Sequence, residues 1–571
     1  MPESAPFLRF AETAEAVTAT AKRNEKADRL AALYADLSDD DLMRAARWSA
    51  GRPFPLHDQR TTSVGYAALL DAVAAVAGTT RDALRPALVR LGDPGDVAAE
   101  ALADHAPEGE PVTLEGLDAW LGRLAETRGT KRKVEALSAL LRRLSGVETK
   151  YVIKLLSGDL RIGVKQGGVE NAIARGFGHP IGAVQRATML TGDLGETARL
   201  ARHDRLGEAR MRLYHPLGFM LATAADDPDD VARQMPTPFA VEDKYDGIRA
   251  QAHVGPDPGD DDLHGVARGG TRVALFSRTL DGIAASFPDL VEPLAALLAE
   301  VPGGLILDGE IVPVDPEGRA AIRPFQALQK RLGRKTVTDA TLAESPVAFI
   351  VYDALFFDGE VVLEEPYRIR QERLDALGLP GTASEAPVRR SAVSYLDTAD
   401  DLDAHFDAAR ERGNEGLMVK APEAPYKPGR RGRDWLKVKR ALATLDCVVT
   451  SVEVGSGKRR HLLSDFTFAV RKSETDDTLL NVGKAYSGLT DAELAALTDW
   501  FEAHTLQSFA HGRVRVVEPG VVIEVAFDRV QVSKRHKGGY ALRFPRIVRL
   551  REDKPVEEID TLDAVAALAD A

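Results

Sequence analysis

The chain has 571 residues, 28% charged and 44% hydrophobic, with a formal net charge of −13 and a single cysteine, Cys447. That length exceeds one hydrophobic core, so about two to four domains are expected, and one cysteine excludes both an intramolecular disulfide framework and a four-cysteine zinc module. The acidic balance does not announce a nucleic-acid binder, but total charge decides little, because local basic faces make phosphate contacts.

The start, Met1-Pro2-Glu3-Ser4, lacks the basic and apolar regions of a signal peptide. No apolar run is long and uncharged enough to span a membrane. With the lone cysteine, this leads to the expectation of a cytoplasmic protein with no membrane contact.

Residues up to about Arg205 read as helical, rich in Ala, Leu, Arg and Glu and poor in strand-like alternation. Val134, Leu137, Leu140, Leu141 and Leu144 recur at helical spacing and define one buried face. Lys131, Arg132, Lys133, Arg142 and Arg143 decorate the same region. The stretch Lys150–Lys165 follows, with glycines that permit close approach and cations, Lys154, Arg161 and Lys165, able to meet phosphates. Read alone, it is more simply a solvated helix face with a loop.

After Tyr214-His215-Pro216 the texture changes. Short β-prone runs, Phe239–Val241, Ile248–Val254, Val273–Ser277, Leu305–Val314, Ala348–Phe357, Gly416–Lys420 and Trp435–Lys439, alternate with turns and helical pieces. This predicts an α+β domain on antiparallel sheets, with the acidic Gly255–Gly270 stretch as a surface loop. From about Leu442, the runs Leu445–Val454, Phe466–Val470, Leu479–Val482, Gly520–Phe527 and Ile547–Leu550, with one helix over Asp491–His504, suit a small five-stranded barrel of the OB type. The expected domains are therefore helical 1–207, α+β 208–441 and β-barrel 442–571.

Glu242-Asp243-Lys244-Tyr245-Asp246-Gly247-Ile248-Arg249 is the stretch that most suggests chemistry. A lysine amine forms a covalent intermediate only when deprotonated, which desolvation or a nearby cation favours. Attack on a nucleotide α-phosphate also needs cations for the phosphate oxygens, usually arginine, lysine and magnesium. If Lys244 is that nucleophile, later strands should supply them. Phe276-Ser277-Arg278 ends a β-prone run with a cation, and Leu307-Asp308-Gly309-Glu310-Ile311-Val312 places a carboxylate in an apolar strand. Asn414-Glu415-Gly416-Leu417-Met418-Val419-Lys420 repeats that pattern. In Trp435-Leu436-Lys437-Val438-Lys439 the two lysines share one strand face, and Arg431 lies shortly before. Each piece alone reads more readily as a turn or strand entry; their ordered occurrence points to one site.

The ordered set resembles the covalent nucleotidyltransferases, and among them the ATP-dependent DNA ligases. Tyr352-Asp353 falls in the family's order, and Ala541-Leu542-Arg543-Phe544-Pro545-Arg546 with Arg549, Asp553 and Lys554 resembles its C-terminal motif. The region around Leu160-Arg161-Ile162-Gly163-Val164 resembles the family's helical DNA-binding domain. The resemblance implies an all-α N-terminal domain, an α+β nucleotidyltransferase domain with ATP-grasp-like antiparallel sheets, and a C-terminal OB-fold. It implies a lysyl-AMP on Lys244, adenine contacts by Glu242 and Tyr352, and Arg249 and Glu310 by the ribose and reacting phosphate. Glu310 and Glu415 would lie near Mg²⁺ or Mn²⁺, and Arg278 would hold the 5′-phosphate or AMP. Arg431, Lys437 and Lys439 would address ATP phosphates, and Arg543, Arg546, Asp553 and Lys554 would close over pyrophosphate. The implied substrate is nicked double-stranded DNA, the implied state a monomer and the implied location nucleoid-associated. Gly218-Phe219-Met220-Leu221-Ala222 departs from the family's Pro-Met-Leu-Ala entry, and tyrosine at 352 replaces the usual phenylalanine. An NAD-dependent ligase is disfavoured by the cysteine count. An RNA ligase or capping guanylyltransferase shares the lysine motif but not the helical region. A catalytically silent nucleic-acid binder is the remaining alternative.

Overall fold

The computed structural model describes residues 4–58, 60–225, 227–260, 263–332, 334, 337–438, 443–455 and 457–569. Its backbone contacts divide it into two units, 1–439 and 440–571.

The first unit begins with helices, from Phe7–Thr18 to Leu194–Arg202. The apolar spacing noted above falls on the Thr130–Leu141 helix, where Leu137, Leu140 and Leu141 are buried, as is Leu144 just beyond. Ser145 and Glu148 form a reciprocal capping box that starts the next helix, Gly146–Leu156.

The strands that follow are β1 (Leu221–Ala225), β2 (Phe239–Lys244), β3 (Ile248–Pro256), β4 (Val266–Arg268), β5 (Thr271–Ser277), β6 (Leu305–Pro313), β7 (Val347–Phe357), β8 (Glu360–Val361), β9 (Val388–Arg390), β10 (Ser394–Leu396), β11 (Gly416–Lys420) and β12 (Arg431–Val438). One sheet runs β1-β12-β11-β2-β10; the other runs β4-β5-β3-β6-β7-β8, with β9 beside β7. The α+β expectation holds, and most pairs are antiparallel, but β1–β12 and β7–β9 are parallel.

Each sheet has one apolar face because side chains alternate along a strand. In the second sheet Ala250, Ala252, Val254, Leu305, Leu307, Ile311, Phe349 and Val351 form one buried cluster. In the first, Phe239, Val241, Leu417, Val419, Leu436 and Val438 pack with Leu402 and Phe406 of the Leu402–Glu411 helix. The opposite faces carry the polar groups of the site, in the second sheet among further buried apolar residues, Ile306, Val312, Ala348 and Ile350. The acidic loop after β3 is anchored, not loose: buried Arg272 donates to Asp257 Oδ1 (2.9 Å) and to the carbonyls of Leu263 and Asp260.

The C-terminal unit contains β13 (Ala443–Val454), β14 (Leu463–Ser473), β15 (Asp476–Ala485), β16 (Thr505–Phe509), β17 (Val514–Val517), β18 (Val522–Phe527), β19 (Arg529–Val532), β20 (Tyr540–Arg543) and β21 (Arg546–Leu550), with the helix Asp491–Ala503 between β15 and β16. Its principal sheet has seven strands and β19–β20 form a separate pair, more than the five strands expected. β13 pairs with β18 over Ala443–Val448 and with β17 over Ser451–Glu453. One strand thus serves two partners in succession, and the sheet forms a half-barrel.

Beneath the second sheet, Arg370 and Asp353 form a bidentate pair with both side chains fully buried, at 2.7 and 2.9 Å. Removing one partner strands a buried charge, at a cost of about 3–5 kcal/mol. Arg370→Met should therefore lower the urea midpoint of this unit sharply, and the double variant Arg370→Met/Asp353→Leu should recover part of the loss. A single variant that unfolds at the wild-type midpoint would refute a stabilising role for the pair.

Candidate active site

Strand parity assembles the site. On β2, Glu242 and Lys244 point to the same face, opposite the apolar Val241. Across the ladder Lys244 faces Gly416 and Glu242 faces Met418; one strand further, Met418 faces Lys437 and Lys420 faces Trp435. Directly opposed residues share a face, so Glu242, Lys244, Lys420, Trp435 and Lys437 lie on one surface. Lys437 is half-buried there, and Arg431 is exposed at the start of β12, where it donates to the Ala222 carbonyl (2.7 Å). Lys439 lies outside the described residues.

The Lys244 ammonium donates to Glu415, whose own backbone amide donates to the Lys244 carbonyl (2.8 Å). Gly416 is needed here: its φ is +147°, and a Cβ would collide with the Val438 carbonyl oxygen. At Gly247 a Cβ would strike the Ile311 carbonyl oxygen, so glycine lets the turn after Lys244 press against β6. Asp243 faces away and is held by Arg412 (2.8 Å to each oxygen) and Asn414 (2.8 Å).

The second sheet contributes from its polar face. Arg249 lies opposite Glu310, and its guanidinium grips Asp308 at 3.1 and 2.6 Å. It also donates to the Met220 carbonyl (2.6 Å) and stacks on Phe219, 4.8 Å from the ring centroid. The phenylalanine that departs from the family's entry segment thus packs on a site arginine. Burial opposes the Arg249 charge, but Asp308 outweighs it and holds the guanidinium well above its ordinary value. Asp308 is fully buried and accepts further bonds from Tyr426 (2.7 Å) and Tyr352 (3.1 Å). Tyr352 is the extra residue of a β-bulge, where Asp308 pairs with Asp353 but Gly309 with Val351. A bulge re-aims a side chain; here it turns the ring toward Asp308.

Lys420, Tyr367, Asp308 and Tyr426 were not singled out from sequence. Lys420 shares the parity of Glu242 and was legible in principle; Tyr367 and Tyr426 lie outside the strands and carried no signal. Arg278 is exposed just beyond β5. In the C-terminal unit Arg543 is half-buried with its guanidinium 5.0 Å from the Phe544 ring centroid, and Arg546 is exposed. Asp553 is chelated by Arg551 (2.9 Å to each oxygen), and Lys554 pairs with Asp446 (2.7 Å).

One expectation is corrected in the helical region. Lys154 is not displayed to a nucleic-acid backbone; it is buried, with its ammonium 3.1 Å from Asp96 and 3.6 Å from Asp93. Helical spacing put it on a face that another helix covers. Arg161 and Lys165 are exposed and pair with Asp93 (3.1 Å) and Asp159 (2.7 Å).

Among the described residues no cluster of three or more His, Cys, Asp or Glu side chains could hold a metal alone. Glu310 and Glu415 nevertheless suit a magnesium-like ion. They are hard oxygen donors beside Lys244, and such ions take one or two carboxylates and complete their shell with phosphate oxygens and water. Glu310 accepts no side-chain hydrogen bond among the described residues. Burial pushes its carboxyl up to about 8; Lys244 and Arg249 pull down, Glu415 and Asp308 push up.

Three family descriptions match in succession: "DNA ligase N terminus" over residues 6–174, "ATP dependent DNA ligase domain" over 219–439 and "ATP dependent DNA ligase C terminal region" over 459–554. A probable DNA ligase of Koribacter versatilis is 45% identical over 97% of this chain and 95% of its own. A DNA ligase of Archaeoglobus fulgidus is 33% identical over 98% of both chains. The solved structure titled Pmar-Lig_PreS3, at 17% identity, shares the fold with a TM-score of 0.59, covering 95% of this chain and 99% of that one.

The raised Glu310 gives a pH prediction. A carboxyl held above its ordinary value in the fold contributes stability fully present below about pH 4.5 and lost as pH rises through about 8. Glu310→Gln mimics the protonated form. In EDTA its melting temperature should exceed wild type at pH 9 and converge with it toward pH 5; a difference that does not vary with pH would refute the shift.

Proposed function

Because this chain belongs to the ATP-dependent DNA ligase family, we propose that Lys244 is its nucleophile and that it seals 5′-phosphate/3′-hydroxyl nicks in duplex DNA as a monomer. The observation that carries the reading is the Lys244–Glu415 contact on a sheet face shared with Glu242 and Lys437. A hydrogen-bonded carboxylate is placed to take the ammonium proton, which must leave before nitrogen can attack. The Nζ lone pair then forms a bond to the α-phosphorus of ATP while the bond to the bridging oxygen breaks, and pyrophosphate departs with that electron pair. The AMP passes to a 5′-phosphate oxygen, which frees the lysine, and the neighbouring 3′-hydroxyl displaces AMP to close the strand.

The surrounding residues position and neutralise. Glu242 and Tyr352 would hold the adenine, the latter by its ring face. Arg249 would define the ribose side, and Arg278, Arg431, Lys437 and Lys439 would meet phosphate oxygens of AMP, ATP or the DNA end. Glu310 and Glu415 would hold a divalent cation, magnesium or manganese, which when bound would neutralise non-bridging phosphate oxygens. Arg543, Arg546, Asp553 and Lys554 would assist the departing pyrophosphate. Arg161 and Lys165 would contact DNA phosphates. The division into domains 1–207, 208–441 and 442–571 is proposed on the same footing.

Incubation with Mg²⁺ and, separately, ATP, GTP or NAD, followed by intact-mass measurement, tests the nucleophile. An AMP adduct from ATP is expected, absent in Lys244→Ala; a GMP adduct, or none, would defeat the proposal. Glu415→Ala should lose at least about 100-fold in adduct formation, the scale of a positioned proton acceptor, while its circular dichroism stays that of wild type. Unimpaired nick sealing by this variant would remove Glu415 from the chemistry.

A further inference from the structure

Glu242 has two neighbours that the proposed reaction does not use. Lys420 Nζ lies 2.5 Å from Glu242 Oε1, and the Tyr367 hydroxyl donates to the same oxygen. The Lys420 and Glu242 side chains are each only 2% exposed. Aromatic rings wall the ammonium on the remaining sides, 4.4 Å from the Trp435 centroid and 4.8 Å from those of Tyr352 and Tyr367. Tyr367 opens the helix Tyr367–Asp375, and its ring is fully buried.

A buried cation that reaches a carboxylate at one oxygen is costly unless fully matched, so the asymmetry is informative. Both donors converge on Oε1, and Oε2 accepts no hydrogen bond among the described residues. Glu242 shares the strand face of Lys244. We infer that Lys420 and Tyr367 are positioning residues that set base selectivity, by holding Glu242 as a pure acceptor whose second oxygen reads an exocyclic amino group. This rests on the reading of Lys244 and Glu242 given above.

The chemistry is one of complementarity. An ionised carboxylate can only accept. It matches the amino group of a 6-aminopurine and faces lone pair to lone pair with the carbonyl of a 6-oxopurine, leaving buried polar groups unpaired. Without the ammonium, Oε1 loses the partner that fixes the carboxylate, and Oε2 is no longer held toward the amino group. A carboxylate free to turn neither accepts squarely from the amino group nor squarely opposes the carbonyl, so the discrimination falls.

The test compares initial rates of lysyl-nucleotide formation, by intact mass, from ATP and from inosine triphosphate, which carries a carbonyl in place of the amino group. Wild type should strongly prefer ATP. Lys420→Met should lose about 10- to 100-fold of that preference, the worth of one hydrogen bond to a charged group, mainly through a higher KM for ATP. Lys420→Arg should retain most of the preference, and Tyr367→Phe should lose a smaller part of it. If Lys420→Met and Tyr367→Phe slow both nucleotides by the same factor, the two residues merely support the fold and the inference fails. Wild type forming no adduct from ATP would overturn the reading of Lys244 itself, and the inference with it.

Discussion

The Arg249–Asp308 pair is the contact on which the rest of the site depends. It joins neighbouring strands of one sheet, and Asp308 has no access to solvent. A carboxylate so placed must be matched by several donors. Arg249 supplies two, Tyr426 and Tyr352 one each. Those donors come from the loop before β12 and the bulge of β7, and Arg249 in turn binds the Met220 carbonyl. Satisfying one buried charge therefore fixes the entry segment, the Tyr352 ring and the approach of the two sheets.

The same accounting separates structural from reactive carboxylates. Asp308 is saturated by donors, Asp353 by Arg370, and Asp243 by Arg412 and Asn414. What is left is different in kind. Glu415 holds the lysine that must later be released, and burial pushes Glu310 toward its neutral form. Among the described residues Glu242 keeps one oxygen unclaimed. A pocket in which the structural charges are already matched can present its remaining oxygens to a substrate without reorganising, which is the condition for effective electrostatic stabilisation of phosphoryl transfer.

Strand parity made much of this legible in sequence. Lys244 and Glu242 two residues apart, and Lys437 within an alternating run, needed only the rule that side chains alternate. Tyr352 could be named from motif order, but its direction depends on a bulge set by packing across β6 and β7. Tyr367 and Tyr426 reach the site from a helix and a loop, so no periodicity connects them to it. Lys154 misled because a helix sequence shows which residues share a face but not which face meets another helix. β16 and β17 fell in a stretch of mixed polarity, Thr505–Val517, whose strand character comes from pairing with β13 and each other, a tertiary effect that local propensity does not record.

The acidic net charge is compatible with a DNA substrate for a reason visible in the pairs. Many acidic side chains are engaged with cations of the same unit, including Asp159 with Lys165 and Asp93 with Arg161. Lys165 and Arg161 remain largely exposed, with 78% and 54% of their side chains accessible. The Lys165–Asp159 pair is exposed on both sides, and exposed ion pairs are worth only about 0–1 kcal/mol. A cation in such a pair can exchange its carboxylate for a phosphate at little cost, and phosphate neutralisation gains the release of condensed counterions. Asp159, 43% exposed, then returns to water, whereas the buried Asp93 keeps Lys154 beside it. The relevant quantity for binding a polyanion is thus the number of cations held in weak, exposed pairs, not the sum of charges along the chain.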